Sequence, residues 1–419
     1  MKTRFLSVLI VFILALSILG VGCDSKPSIP TVKPEDEGFS SERLVRINTV
    51  MQEYIDENLL PCTVTLVARN GNIVHLEAQG WKDVDATIPV EVDDIFRMFS
   101  MTKPITSVAI LILYEEGLLQ LDDPVSLYIP AFQNQVVTVG DETVPAEREI
   151  TIRDILTHTS GTIGLGPGMA LIPDLDENIP VSEIVDNIAE LPLSFQPGTS
   201  WEYGFGHEIA GVVVEVISGM TLDEFFEERI FEPLGMDDTS FYVPSEKASR
   251  LVPIYVRIPE GDGWILQLLG SAFYSSAKVE GPKTQFGGGG WGGGVCSTIE
   301  DYARFAQMLL NGGELDGVRI LSRKTVELMS TIHTEDYLIS YGPGWGFGYG
   351  LGILDDITGI PNVGSVGRFG WGGAASTYWF ADPEEDLLAI LFTQVMGGAG
   401  PTGFQPNHTF DTLVYSALE

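Results

Sequence analysis

Phe96-Arg97-Met98-Phe99-Ser100-Met101-Thr102-Lys103-Pro104-Ile105-Thr106-Ser107-Val108-Ala109-Ile110-Leu111-Ile112-Leu113-Tyr114 places a serine and a lysine three residues apart at the start of an otherwise apolar run. Read as a helix, the run is apolar on nearly every face, which predicts a helix inside the molecule. Ser100 falls in the first turn and Lys103 one turn later on the same face. Pro104 is compatible with this, because first-turn N–H groups have no intrahelical acceptor. Desolvation drives a buried lysine towards its neutral form, and a neutral lysine can take a proton from a hydroxyl. The same residues also suit a capping serine followed by a lysine that snorkels to the surface. The rest of the chain has to decide.

Before this stretch, Phe39, Leu44, Ile47, Val50, Met51 and Ile55 recur at spacings of three and four, an amphipathic helix over about 36–58 with Ser41 as its cap. The β-rich runs 63–68 and 73–76 flank Asn70-Gly71-Asn72, a hairpin signal. Residues 81–92 read as polar and irregular. After it, helices dominate: a short one within 150–161, another over 208–218 stopped by Gly219, and two opened by the capping boxes Thr221-Leu222-Asp223-Glu224 and Ser297-Thr298-Ile299-Glu300. From Gly344 onward the runs 345–353, 375–380 and 387–392 read as strands, and 410–418 as a terminal helix. Helix, hairpin, helical middle, strands, helix predicts an α+β fold with a mostly antiparallel sheet built from both chain ends.

The composition is that of a globular protein, 44% hydrophobic and 19% charged. A formal charge of −35 argues against a nucleic-acid partner, since a phosphate backbone would be repelled. The start, Met1-Lys2-Thr3-Arg4 followed by an uncharged apolar run to Gly22, reads as an export signal over 1–22 or an uncleaved anchor. Leu19-Gly20-Val21-Gly22-Cys23 resembles a bacterial lipobox. That resemblance implies cleavage before Cys23, lipidation of Cys23, a linker over 23–35 and an exported protein tethered to a membrane surface. Cys62 and Cys296 either pair or stay as buried free thiols. The five histidines show no metal-ligand spacing, and no metal or cofactor is expected.

No Gly-x-Ser-x-Gly elbow is present, which sets aside the α/β-hydrolase arrangement of a reactive serine. The cluster 287–294, rich in glycine, lacks the lysine and setting of a phosphate loop and reads as a tight loop near a pocket.

Taken together and in order, six segments carry a resemblance. They are Phe99-Ser100-Met101-Thr102-Lys103, the run 152–161 ending His158-Thr159-Ser160-Gly161, Trp201-Glu202-Tyr203, the run 230–236, the run 294–303, and Phe369-Gly370-Trp371-Gly372-Gly373. The chain resembles the serine β-lactamase and penicillin-binding-protein-like superfamily, in its class C β-lactamase-like branch, nearest in motifs to the family VIII carboxylesterases. The likeness spans nearly all of 36–419 and implies one catalytic domain, with a helical insertion over roughly 100–330 and the site in the cleft between helices and sheet.

What the resemblance implies about chemistry is specific. Ser100 is the nucleophile, with Lys103 and Tyr203 as a coupled base. A phenol of ordinary pKa near ~10 needs a cationic neighbour for that task. The backbone N–H groups of Ser100 and Ala374 form the oxyanion hole. Trp371, Gly372, Gly373 and Phe205 contact substrate. Trp291 either joins them or is buried elsewhere, and His158 reads as structural. Two departures stand out. Phe205 follows Tyr203-Gly204 where class C enzymes carry an asparagine, and Trp371 stands where many β-lactamases carry a lysine. Both make the site less polar, which tilts the expectation from β-lactams towards short-chain esters. β-Lactamase or D-amino-acid peptidase activity is the alternative, and an acylated sensor that does not turn over is a second.

Overall fold

The computed structural model describes residues 29–164, 180–269, 286–289, 294–334, 342–358, 360, 363–396 and 404–419. Leu44, Ile47, Met51 and Ile55 are buried along one side of α1 (Ser41–Asp56). Ser40 rather than Ser41 caps it, its hydroxyl accepting from the Arg43 N–H. The hairpin β1 (Cys62–Arg69) and β2 (Asn72–Asp83) follows. Asn70 and Gly71 turn it at φ of 51° and 74°, values that a tight hairpin demands. β2 continues to Asp83 and pairs with β3 (Ile88–Pro89), so part of the stretch expected to be irregular is sheet edge.

β4 (Phe96–Arg97) leads through a 3-10 turn (Phe99–Met101) into α2 (Thr102–Glu115), buried from Thr102 to Leu113 as its all-round apolarity predicts. A small hairpin, β5 (Val136–Val139) and β6 (Glu142–Pro145), precedes the helices α3 (Ile152–Thr157), α4 (Val181–Ala189), α5 (Gly206–Ser218), α6 (Leu222–Phe226) and α7 (Glu232–Leu234). The capping box at Thr221 and Glu224 is formed, and a second joins Thr151 to Asp154. An unexpected hairpin, β7 (Tyr255–Glu260) and β8 (Gly263–Leu268), interrupts the helical region. β9 (Cys296–Ser297) pairs with β4 and precedes α8 (Ile299–Leu310), capped by Thr298 rather than Ser297. A short ladder, β10 (Glu314–Leu315) and β11 (Val318–Arg319), then leads to α9 (Arg323–Met329).

The chain then returns to the sheet. The run 345–353 is two strands, β12 (Trp345–Phe347) and β13 (Gly352–Leu354), folded on each other at a turn where Gly350 has φ of 73°. β14 (Phe369–Gly372), β15 (Tyr378–Asp382), β16 (Leu387–Phe392) and β17 (Val395–Met396) follow, then α10 (Pro406–Ser416).

Eight strands form one antiparallel sheet in the order β12-β13-β14-β15-β16-β1-β2-β3. Its seam joins the two chain ends, with β1 against β16 from Val64↔Phe392 to Arg69↔Leu387. Strand alternation assigns the faces. Leu387, Ala389 and Leu391 pack with α1 and α10, whereas Leu388, Ile390 and Phe392 pack with α2 and α8. Each leucine, isoleucine or phenylalanine among them contributes roughly 1.5–3 kcal/mol on leaving water. The α+β architecture from both chain ends is therefore as expected. Among the described residues no helix is long and apolar enough to cross a membrane. Cys62 and Cys296 are buried free thiols. Residues 1–28, with the leader and Cys23, lie outside the described residues, as does Trp291.

Candidate active site

Ser100 sits in the 3-10 turn immediately before α2, at the edge of a cavity of about 430 Å³. Because α2 is buried, Lys103 is buried with it, at 2% exposure. The snorkelling alternative therefore fails. Lys103 Nζ donates to Ser100 Oγ at 3.3 Å and to the Gly288 carbonyl at 2.5 Å. It also lies 4.5 Å from the centre of the Tyr203 ring, within cation–π range. The Gly288 contact comes from the glycine-rich cluster. In the same loop Gly287 O accepts from Thr106 Oγ1, one turn further along α2. These carbonyls hold the helix start and the lysine together.

Tyr203 is brought in by the segment before α5. Gly204 N–H donates to His158 Nδ1 at 3.4 Å, and Glu202 N–H donates to His158 O at 3.0 Å. His158 holds φ of 58° at the end of α3, and its ring lies 4.6 Å from that of Tyr203. Its role is to anchor the Tyr203 segment, in keeping with the structural reading. His207 lies beside it and meets Ser107 Oγ at 3.1 Å through Nε2. Burial, with the neighbouring Lys103 charge adding to it, holds both imidazoles well below their usual pKa. They are neutral near pH 7 and place no second cation beneath the cavity.

The opposite wall comes from β14. Trp371 is buried, and its indole N–H donates to the Tyr203 hydroxyl at 3.3 Å. Phe347 packs edge-on against it at 4.9 Å. At the strand end, Gly373 N–H donates to Thr377 O. A Cβ on Gly373 would lie 2.5 Å from Met98 O and would also collide with Thr377 Oγ1. Only glycine lets this strand end approach the chain two residues before Ser100. Ala374, next along, is exposed to the cavity beside Ser100.

Ser100, Tyr203, Trp371, Gly372, Gly373 and Ala374 thus share one cavity, with Lys103 directly behind Ser100. Phe205 does not join them. It is fully buried in the helical core as the residue capping α5, because the chain turns inward there. Tyr378, Pro406 and Asn407 do line the cavity and were not anticipated. The sequence pattern starts the terminal helix at 410, and its extension to Pro406 is what brings the last two there. No described residue lining the cavity carries a charged side chain. Among the described residues no group of histidine, cysteine or acidic side chains could hold a metal.

A family model described as Beta-lactamase matches residues 47–412. The chain belongs to the beta-lactamase family. This beta-lactamase-family hydrolase is 34% identical over 366 residues to Protein Rv1367c of Mycobacterium tuberculosis, covering 82% of this chain and 88% of that one. It is 31% identical over 388 residues to esterase EstB of Burkholderia gladioli, covering 85% and 92%. Among solved structures, EstCE1, described as a hydrolase with promiscuous acyltransferase activity, superposes with a TM-score of 0.71 at 25% identity, covering 89% of this chain and 98% of that one.

Proposed function

We propose that the protein is a carboxylesterase that hydrolyses short-chain, uncharged esters through an acyl-enzyme on Ser100. The described lining of the cavity, which has no charged side chain, carries this reading. A β-lactam or peptide carboxylate entering it would lose its hydration and meet no cation among the described lining residues, whereas a neutral ester loses little. The likeness to esterase EstB supports the same choice.

In this mechanism Ser100 Oγ attacks the ester carbonyl and its proton passes to the Lys103–Tyr203 pair. The N–H groups of Ser100 and Ala374 hold the resulting oxyanion, a preorganised pair of donors that costs no reorganisation during reaction. The bond to the alcohol breaks as the alkoxide takes up that proton. Water then gives a proton to the same pair and adds to the acyl carbon. Ser100 leaves, regaining its proton, and the free acid departs.

The test uses purified protein with p-nitrophenyl butyrate and a chromogenic cephalosporin, beside Ser100→Ala. The expected outcome is ester turnover at least about 10²-fold above cephalosporin turnover, with at least about a 10³-fold loss in the variant. Faster cephalosporin cleavage would favour the β-lactamase reading. One acyl group retained on Ser100 without turnover would leave a sensor.

Residues 1–23 support a further part of the proposal, that the enzyme is exported and tethered through a lipid on Cys23. Mass spectrometry of the mature N-terminus tests it. A chain still carrying residues 1–22, or an unmodified Cys23, rejects the tether.

A further inference from the structure

Two peptide N–H groups can stabilise an oxyanion only if their separation is fixed, and here they come from segments far apart in sequence. Ser100 follows Phe99, and Ala374 precedes Ala375. Phe99 and Ala375 belong to one small buried cluster whose third fully buried member is Ile254, at 1% exposure. Leu269 and Met396 pack on its outside. The cluster is therefore one peptide removed from each donor.

Phe99 holds φ of 47°, a left-handed conformation that a bulky residue adopts only when its surroundings impose it. Two constraints are visible. On the backbone side, Gly289 approaches so closely that a Cβ there would overlap the Phe99 carbonyl. On the side-chain side, the cluster with Ile254 holds the ring. Ile254 is itself well anchored. Its carbonyl accepts from Leu269 N–H at 2.8 Å, and Tyr255 N–H donates to Gln394 O at 2.9 Å. Val395, paired with Tyr255, donates to Ala375 O at 3.0 Å. The β7–β17 pairing thus carries both Ile254 and the far side of the oxyanion loop.

Ile254 is buried, at 1% exposure, and is not among the described residues lining the cavity. We propose that Ile254 is a positioning residue for the oxyanion hole: packed with Phe99 and Ala375, it fixes the spacing between the Ser100 and Ala374 N–H groups. The inference rests on the serine esterase reading above. Truncating Ile254 would open space beneath Phe99 and let the turn relax, misaligning donors that act only when charge develops on the carbonyl oxygen.

The experiment compares full-length wild type, Ile254→Val and Ile254→Ala. It measures steady-state ester hydrolysis, the rate at which a fluorophosphonate labels Ser100, and thermal melting. The expected result is a loss in both kcat and kcat/KM of about 3–10-fold for Ile254→Val and about 10–100-fold for Ile254→Ala, with KM within about threefold. Labelling should slow by the same factors, because the phosphoryl oxygen occupies the same hole. If Ile254→Ala does not fold, Ile254→Val carries the comparison. Folded variants with kcat within twofold of wild type would overturn the proposal, as would a loss confined to KM with unchanged labelling. A wild type that labels at Ser100 while the variants label equally fast rejects only the role of Ile254. A wild type that neither labels nor hydrolyses rejects the serine reading and this inference together.

Discussion

Trp371, which the resemblance aligns with the lysine of many β-lactamases, donates its indole N–H to the Tyr203 hydroxyl. The residue therefore does two things. It puts an uncharged ring in the cavity wall, and in the proposed mechanism it supplies a neutral donor to the Tyr203 oxygen that handles the proton. Trp371→Phe keeps the ring and removes the donor. A single hydrogen bond of this kind contributes about 1 kcal/mol, so kcat for the ester should fall about fivefold. Trp371→Lys should do the opposite to selectivity, raising the cephalosporin-to-ester ratio of kcat/KM by more than about tenfold. An unchanged ratio would remove Trp371 from the account of specificity. Residues of this kind were legible in the sequence through motifs whose chemistry lies in the side chain, and the structure brings Ser100, Lys103, Tyr203 and Trp371 together. Gly288 was not, because its contribution is a carbonyl oxygen that every residue possesses. Phe205 misled, since adjacency to Tyr203 says nothing about which way the next side chain turns at a helix start.

Among the elements, α10 joins the sheet to the cavity. Its Asp411 forms a fully buried ion pair with Arg368, which also lies 3.9 Å from the centre of the Phe380 ring. The Tyr378 hydroxyl donates to the same carboxylate at 3.1 Å, and Tyr378 lines the cavity. Asp411→Ala leaves a buried guanidinium uncompensated and should lower stability by about 3–5 kcal/mol in urea unfolding. Arg368→Met with Asp411→Leu should recover most of that loss, because it removes both charges at once. A single variant as stable as wild type would show that the pair is not what docks the helix. Elements with strong local signals were legible: α1, the β1–β2 hairpin, α2, α5 and β16. The hairpin β7–β8 escapes the sequence reading although burial alternates along Tyr255–Ile258, because a buried arginine at 257 and Pro259 blur the pattern. The run over 345–353 reads as one strand rather than two because glycines carry no side chain from which to read a reversal of direction.

At the scale of the molecule, the formal charge of −35 surrounds a cavity whose described lining is uncharged. Long-range repulsion should act on the approach of substrate rather than on chemistry. For an anionic ester kcat/KM should rise severalfold between about 10 and 150 mM salt, as the screening length shortens from ~30 to ~8 Å. A cationic ester should show the reverse and a neutral ester little change. Equal salt responses for all three would mean that the surface charge does not steer.

The seam between β1 and β16 also fixes when the molecule can become itself. Phe39 bridges Leu418, Ser40 N–H donates to Ala417 O, and Glu419 N–H donates to Gly38 O, so the first and last described segments are stitched to one another. During synthesis β1 is made early and has no neighbour on one side until residues 387–392 emerge. For most of translation the nascent chain carries an open strand edge, the kind of edge that invites wrong partners. Completion of the sheet is therefore a late event, and a ribosome stalled anywhere before residue 387 would hold a chain that lacks the partner strand of β1.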